Sequence, residues 1–330
     1  MPKKKIVMLV GNGLNMDYRN HSPSKAIQDL DTRYPLQWEL PEGHEFARAN
    51  YEVESLDLDR CISKLKDDSK FSLTDYEKIE KVCIQYMMAY RQYMMEYRSV
   101  RPKVEYHSIF QKHNALQRKL ALLMTHYSLT IKNNYNHNWP WFRWFCRYGT
   151  SISSCVSLNY DLLLEETLTR CELKFWHCIS SRQGVGCAIF KPHGSINYRL
   201  NGISNIQSTH SVVIGADMPL KIVEKNDLLR FADDFVIPQI VLPSESTTIR
   251  GFCFIEPGFS MVKERIHSAS HVYIVGISYW ECDRPELDEF IDATRKTARI
   301  TIVNPNPPQS LLDKIRSKSR DVEVLSTCPI

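Results

Sequence analysis

Lys191-Pro192-His193-Gly194-Ser195 closes a short apolar run, Cys187–Phe190, and a second extended run comes after it. Proline before and glycine after hold the histidine on a rigid corner. A neutral imidazole takes up a proton near neutral pH, as a general base must; a histidine satisfied by its own surroundings is the alternative. Asn159-Tyr160-Asp161 ends another run. A carboxamide there can orient a ribose hydroxyl or a water, and a carboxylate can bind ribose or a cationic ring. Equally, both can cap the helix that comes next, Asp161 being the better placed. Gly11-Asn12-Gly13 permits a tight turn with amide N–H groups where a pyrophosphate would lie. Met16 stands where a third glycine is usual, so an ordinary turn also fits. Gly276-Ile277-Ser278 and Asn304-Pro305-Asn306 complete the set.

Each of these segments succeeds a run of strand character. Ile6–Val10 is continuously apolar, as in a strand buried on both faces. Cys155–Leu158 precedes Asn159, with helix expected over Leu162–Thr169. A strand runs into Lys191, and a helix near Ser260–Ser268 leads to strand Val272–Val275. Helix Pro285–Thr294 leads to strand Arg299–Val303, and LLDKIRSK and VEVLS add a last helix and strand. Strands alternating with helices imply right-handed crossovers and a doubly wound parallel sheet, an α/β fold. In such a sheet ligands bind beyond the carboxyl ends of the strands. That is where all five polar or glycine-rich segments fall.

The chain of 330 residues is long enough for two domains, and 43% hydrophobic with 24% charged residues describes a globular protein. A net charge of +4 argues against a dedicated nucleic-acid binder. No apolar run approaches the roughly 18 residues of a membrane helix. The five apolar residues after Lys3–Lys5 fall short of the roughly 7–15 of a signal peptide. Ten cysteines, none in a C-x-x-C pair, are expected as free thiols in a reducing cytoplasm. Cys171, His177, Cys178 and Cys187 match no zinc-knuckle spacing, so buried thiols and no metal are expected.

Residues 41–149 interrupt the α/β pattern. Cys83, Tyr86, Tyr90, Tyr93 and Tyr97 recur at helical spacing, and Ile109, Leu116, Leu120, Leu123 and Tyr127 form a second stripe. Two such helices can bury both stripes against each other, or present an oligomer interface. NHNWPWFRWFCRYG, residues 136–149, mixes Trp with Arg; apolar packing and base stacking are the two readings.

VGNGLNMD, SLNYDLLLEETL, FKPHGSINY, VYIVGISYWECDRPELDEFI and ITIVNPNP, in that order, resemble the sirtuin-like domains of bacterial anti-phage defence proteins. The likeness covers Lys4–Leu14 and roughly Ser153–Asn306. It implies a Rossmann-like NAD-binding domain over 1–40 and 150–330, with 41–149 as a helical insertion. It also implies hydrolysis of NAD+ to ADP-ribose and nicotinamide, as an abortive-infection effector. Asn159 and His193 would be catalytic. Gly11, Asn12, Gly13, Asp161, Gly194, Gly276, Ser278 and Asn304 would bind the dinucleotide: the glycine turn at the phosphates, Asp161 at the nicotinamide ribose, Gly276 and Ser278 at ribose or phosphate, Asn304 toward the adenosine. A homo-oligomer is implied, with a HerA-type ATPase or another defence sensor as partner and residues 52–147 as the candidate interface. The paired C-x-x-C zinc ligands of deacylating sirtuins are absent. Protein deacylation, ADP-ribosyl transfer and non-catalytic nucleotide sensing are the alternatives.

Overall fold

A computed structural model of the chain describes residues 5–42, 104–179, 183–200, 220–224, 227–228, 238–241, 255–319 and 321–329. The helical stripe expected over Cys83–Tyr97 lies outside these residues. Two compact units form: Met1–Thr32 with Ser128–Ser195 and Ser246–Ile330, and Arg33–Tyr127 with Ile196–Glu245. Residues 128–149, grouped from sequence with the helical insertion, therefore belong with the sheet. Residues 196–245, grouped with the sheet domain, belong to the other unit.

The first unit is built on seven strands: β1 (Ile6–Val10), β2 (Ile152–Ser157), β3 (Phe175–His177), β4 (Cys187–Phe190), β7 (His271–Val275), β8 (Arg299–Val303) and β9 (Val322–Leu325). Two further strands, β5 (Tyr198–Leu200) and β6 (Leu220–Ile222), fall in the second unit. The seven lie in the order β3-β4-β2-β1-β7-β8-β9, every neighbouring pair parallel. β1 is central and buried along its whole length, which is why its sequence has no polar face. The chain leaves β1 for β2 and β4 on one side, and β7, β8 and β9 extend the sheet on the other. The direction of winding thus reverses between β1 and β7, the place in such sheets beyond whose carboxyl ends ligands bind.

Helices cover the sheet: α1 (Gly13–His21), α2 (Lys25–Gln28), α4 (Pro140–Tyr148), α5 (Leu163–Arg170), α6 (Ile255–Ser268), α7 (Arg284–Ala293) and α8 (Gln309–Arg316), while α3 spans Val104–Asn133. α6 packs on β2 and β4 and against α7. Phe190 of β4 meets Phe259 edge-on at 5.6 Å, and Phe259 stacks on Phe290 at 4.6 Å. Each such buried ring contributes roughly 1.5–3 kcal/mol through area removed from water. The Trp-rich segment packs the same way. Trp139, Trp141, Trp144 and Phe145 are buried; Trp144 meets Tyr273 of β7 at 5.0 Å, and Trp139 meets Tyr18 edge-on at 4.9 Å. The indole N–H of Trp139 donates to Asp17 Oδ2 at 2.7 Å.

In the second unit, β5 and β6 form an antiparallel ribbon. Leu120, Leu123 and Tyr127 of the second helical stripe are buried, and the Tyr127 ring lies 5.8 Å from Trp38. No helix among the described residues is long and apolar enough to cross a membrane.

Candidate active site at the carboxyl ends of the central strands

Because β4, β2, β1, β7 and β8 are neighbours and parallel, the segments immediately after them share one edge of the sheet. They carry His193, Asn159, Gly11–Gly13, Gly276–Ser278 and Asn304 respectively. Adjacent strands sit about 4.8 Å apart. Sequence-distant residues are thereby brought within side-chain reach.

At the winding reversal the two glycine turns press backbone on backbone. A Cβ on Gly13 would sit 2.4 Å from Gly276 Cα, and one on Gly11 would sit 2.7 Å from the Gly276 carbonyl oxygen. Gly276 also adopts φ +59°, in the left-handed region that favours glycine. The N–H groups of Gly11 and Gly13 donate to the carbonyls of Val275 and Gly276, both at 2.9 Å. These two amides, expected from sequence to face a pyrophosphate, hold the β1 and β7 turns together.

Asn159, half-buried, donates through Nδ2 to the Gly11 carbonyl at 3.2 Å and to Asn15 Oδ1 at 3.2 Å. Asn15, on the first turn of α1, donates in turn to Asp161 Oδ2 at 2.6 Å. The other carboxylate oxygen of Asp161 accepts the Leu163 N–H at 2.9 Å, at the start of α5. Asp161 is buried, and desolvation pushes its carboxyl up from the usual carboxylate range while the Lys191 charge pulls it back. Both of its oxygens are engaged within the protein; Asp161 braces the entry to α5 from the position before the cap, which is Leu162.

Lys191, the residue after β4, has no exposed side-chain surface and ion-pairs with the buried Glu165 at 3.0 Å. It also donates to the Asp161 carbonyl. His177 of β3 is pushed down to about 3, first by burial and then by the Lys191 charge. The buried Lys191–Glu165 pair, with its bond to the Asp161 carbonyl, ties the start of α5 to the corner that bears His193, and the half-buried His177 lies near it.

Pro192 and Gly194 shape that corner, with Gly194 at φ +77° and its N–H donating to the Lys191 carbonyl. His193 Nε2 stands 3.5 Å from Asp283 Oδ1, both side chains mostly covered. The imidazole lies 6.4 Å, centroid to centroid, from the ring of Tyr160, the residue after Asn159. Ser195 Oγ donates to the Tyr160 carbonyl at 3.3 Å, joining the segments after β2 and β4. Asp283 precedes α7 and was not singled out from sequence, although it ends the short VGxSxxxxD pattern that begins at Val275.

The segment between Gly276 and Asp283 carries a second positive φ, +55° at Tyr279. Its hydroxyl donates to Asp288 at 2.5 Å, and Arg284 Nε donates to its carbonyl at 3.1 Å. A non-glycine residue held there costs of order 1–3 kcal/mol, and such strain persists only where neighbours enforce it. Ser278 is exposed beside it. Asn304 donates to the Ile277 carbonyl at 3.1 Å and accepts the Asn306 N–H at 3.0 Å, bracing the β7 and β8 turns. Asn12 donates to the Thr32 carbonyl at 3.4 Å.

Cys178 and Cys187 are buried and Cys171 is half-buried. Among the described residues no group of three or more His, Cys, Asp and Glu side chains is placed to hold a metal ion.

No family model and no curated protein matches the chain. Solved structures of Sir2 enzymes align along nearly all of it. A Sir2 homologue in complex with ADP-ribose is 12% identical, covering 99% of this chain and 88% of that one, with a TM-score of 0.37. A Sir2 homologue in complex with NAD is 13% identical, covering 98% and 84%, with a TM-score of 0.34. Sir2 bound to an inhibitor, 2′-O-acetyl-ADP-ribose and a deacetylated peptide is 10% identical, covering 96% and 87%, with a TM-score of 0.35. Overlaps this loose assign no ligand and no residue role to this chain.

Proposed function

We propose that this chain is an NAD+ glycohydrolase that cleaves the nicotinamide N-glycosidic bond, giving ADP-ribose and nicotinamide. The observation that carries the reading is the pairing of His193 with Asp283 beside the segment that bears Asn159, at the edge where the sheet reverses its winding. The motif resemblance suggests the substrate; His193 facing Asp283 and Asn159 on the same sheet edge support the chemistry.

The C1′–N bond breaks with its electron pair going to the nicotinamide nitrogen, so the ring departs neutral and positive charge develops on the ribose. The oxygen of a water molecule forms the new C1′–O bond, and its proton passes to His193. The Asp283 carboxylate favours the tautomer with hydrogen on Nε2, leaving Nδ1 as the acceptor, and steadies the imidazolium that forms. Both Nδ2 hydrogens of Asn159 have acceptors in the protein, so its carbonyl end is the one offered to the water. General-base catalysis of this kind contributes about 10²–10⁴-fold. Gly276, Ser278, Gly194, Asn12 and Asn304 would line the dinucleotide, with Gly11 and Gly13 beneath it.

The same resemblance supports a cytoplasmic effector of anti-phage defence that depletes NAD+. It would be a homo-oligomer restrained until a trigger, with a HerA-type ATPase or another sensor engaged through residues 52–147. The test is to incubate the purified chain with NAD+ alone, and with NAD+ plus an acetyl-lysine peptide, in ¹⁸O-water. Release of nicotinamide with ¹⁸O on C1 of ADP-ribose, without peptide, is expected. Turnover only with the peptide would assign deacylation instead, and binding without turnover would assign a sensing module.

A further inference from the structure

We propose that Asn15 is a positioning residue: it carries the polarity of the Asp161 carboxylate to Asn159 and, together with the Gly11 carbonyl, holds one end of the Asn159 carboxamide toward the ligand. The proposal rests on the reading of Asn159 given above and adds what orients it. A carboxylate only accepts hydrogen bonds, whereas a carboxamide accepts at one end and donates at the other. Asp161 Oδ2 therefore selects the NH2 end of Asn15, at 2.6 Å. The carbonyl of Asn15 is then turned toward Asn159 and selects its NH2 end, at 3.2 Å. The Gly11 carbonyl, an acceptor from the backbone, agrees with that choice at 3.2 Å. Three side chains from the segments after β1 and β2 thus share one direction. A buried polar network of this kind specifies a single arrangement only when every member is satisfied.

Lys191 maintains the starting charge. It donates to the main-chain carbonyl of Asp161 and pairs with Glu165, setting a buried positive charge beside the carboxylate. Leu163 N–H holds the second carboxylate oxygen and so fixes which oxygen faces Asn15. Asn15 itself is 2% exposed, which keeps water from substituting for either link.

The relay makes a directional claim that a merely structural contact does not. In D161N the single carbonyl oxygen stays with Leu163 N–H and the new NH2 faces the NH2 of Asn15. Asn15 must flip, and its NH2 then meets the NH2 of Asn159, which keeps the Gly11 carbonyl as its one acceptor and is no longer held in a single orientation at the ligand. Adding N15D restores the order. The new carboxylate at position 15 accepts from the amide at 161 on one side and from Asn159 on the other, moving the charge one residue along the relay.

The experiment tracks Asn159 Nδ2 directly by side-chain amide hydrogen exchange in ¹⁵N-labelled full-length protein, the signal assigned by its loss in N159A. Slow exchange is expected in the wild type, fast exchange in D161N, and slow exchange again in N15D/D161N. In parallel, kcat for NAD+ should fall about 10²-fold in D161N with KM within about twofold, and should return to within about tenfold of wild type in the double variant. Unchanged exchange in D161N, or no recovery in N15D/D161N, overturns the relay. If D161N does not fold, the double variant must fold and protect the amide; a double variant that is unfolded or unprotected overturns it too. Protection that keeps to the pattern in a wild-type protein unable to hydrolyse NAD+ would uphold the relay and remove the glycohydrolase reading.

Discussion

Replacing Lys191 by methionine keeps the length of the side chain and removes one buried charge. Its ammonium has no exposed surface and is the ion-pair partner of Glu165, which is itself only 3% exposed. Glu165 Oε2 already lacks a hydrogen-bond partner among the described residues, so nothing else on that carboxylate compensates. Breaking one side of such a buried pair costs about 3–5 kcal/mol, because the remaining charge stays desolvated. Replacing Glu165 by leucine as well removes the orphaned charge, and apolar pairs of similar volume are about as stable as the ion pair they replace. The double variant should regain most of the loss. It should stay about 1–3 kcal/mol below wild type, for the Asp161 carbonyl that Lys191 no longer satisfies. Urea unfolding monitored by the fluorescence of the buried Trp139, Trp141 and Trp144 measures both variants in the unit concerned. Lys191→Met within about 1 kcal/mol of wild type would refute the reasoning, as would a double variant no more stable than the single.

The same geometry leads to three further outcomes. Gly276→Ala places a Cβ 2.3 Å from Gly13 Cα at a left-handed φ, so a loss of more than about 3 kcal/mol or failure to fold is expected; thermal unfolding decides. His177 is held neutral in the fold down to about 3. The unfolded chain therefore binds the extra proton between pH 6.5 and about 3, and stability falls with acid across that window. His177→Phe should flatten that limb by up to about 1.4 kcal/mol per pH unit in urea titrations, and a parallel curve would contradict the assignment. Asp283→Asn removes the carboxylate that faces His193, and kcat for NAD+ should drop at least about 10-fold with KM little changed. A pure KM effect would make Asp283 a binding group instead.

β1 was legible because it is buried on both faces, and β7 and β8 because most of their residues are buried and apolar. Ile6–Val10, Val272–Val275 and Arg299–Val303 read as unbroken or nearly unbroken apolar runs. β3 was not legible: its three residues are only half-buried and lie at the sheet edge, so neither alternation nor a run marks them. α6 begins at Ile255 and not near Ser260, since Pro257 falls in the first turn, where its missing N–H costs no hydrogen bond. The segments at the carboxyl edge were legible because each comes directly after a strand-like run, but two residues of the proposed site escaped. Asp283 stands eight positions past Val275, well beyond the strand end itself. Asn15 sits inside a helix, where nothing in its spacing distinguishes it from a surface residue. The roles of Gly11, Gly13 and Asp161 were also underdetermined, because an amide or carboxylate aimed at a ligand and one bonded within the fold have the same sequence.

In the proposed reaction the carboxamide of Asn159 and the imidazole of His193 act on one ribose. Nicotinamide release from NAD+ by the purified full-length chain, beside folded N159A and H193A, tests that most directly. Steady release by the wild type and at least about 10²-fold slower release by each variant is the predicted result. Near wild-type release by either folded variant would contradict it.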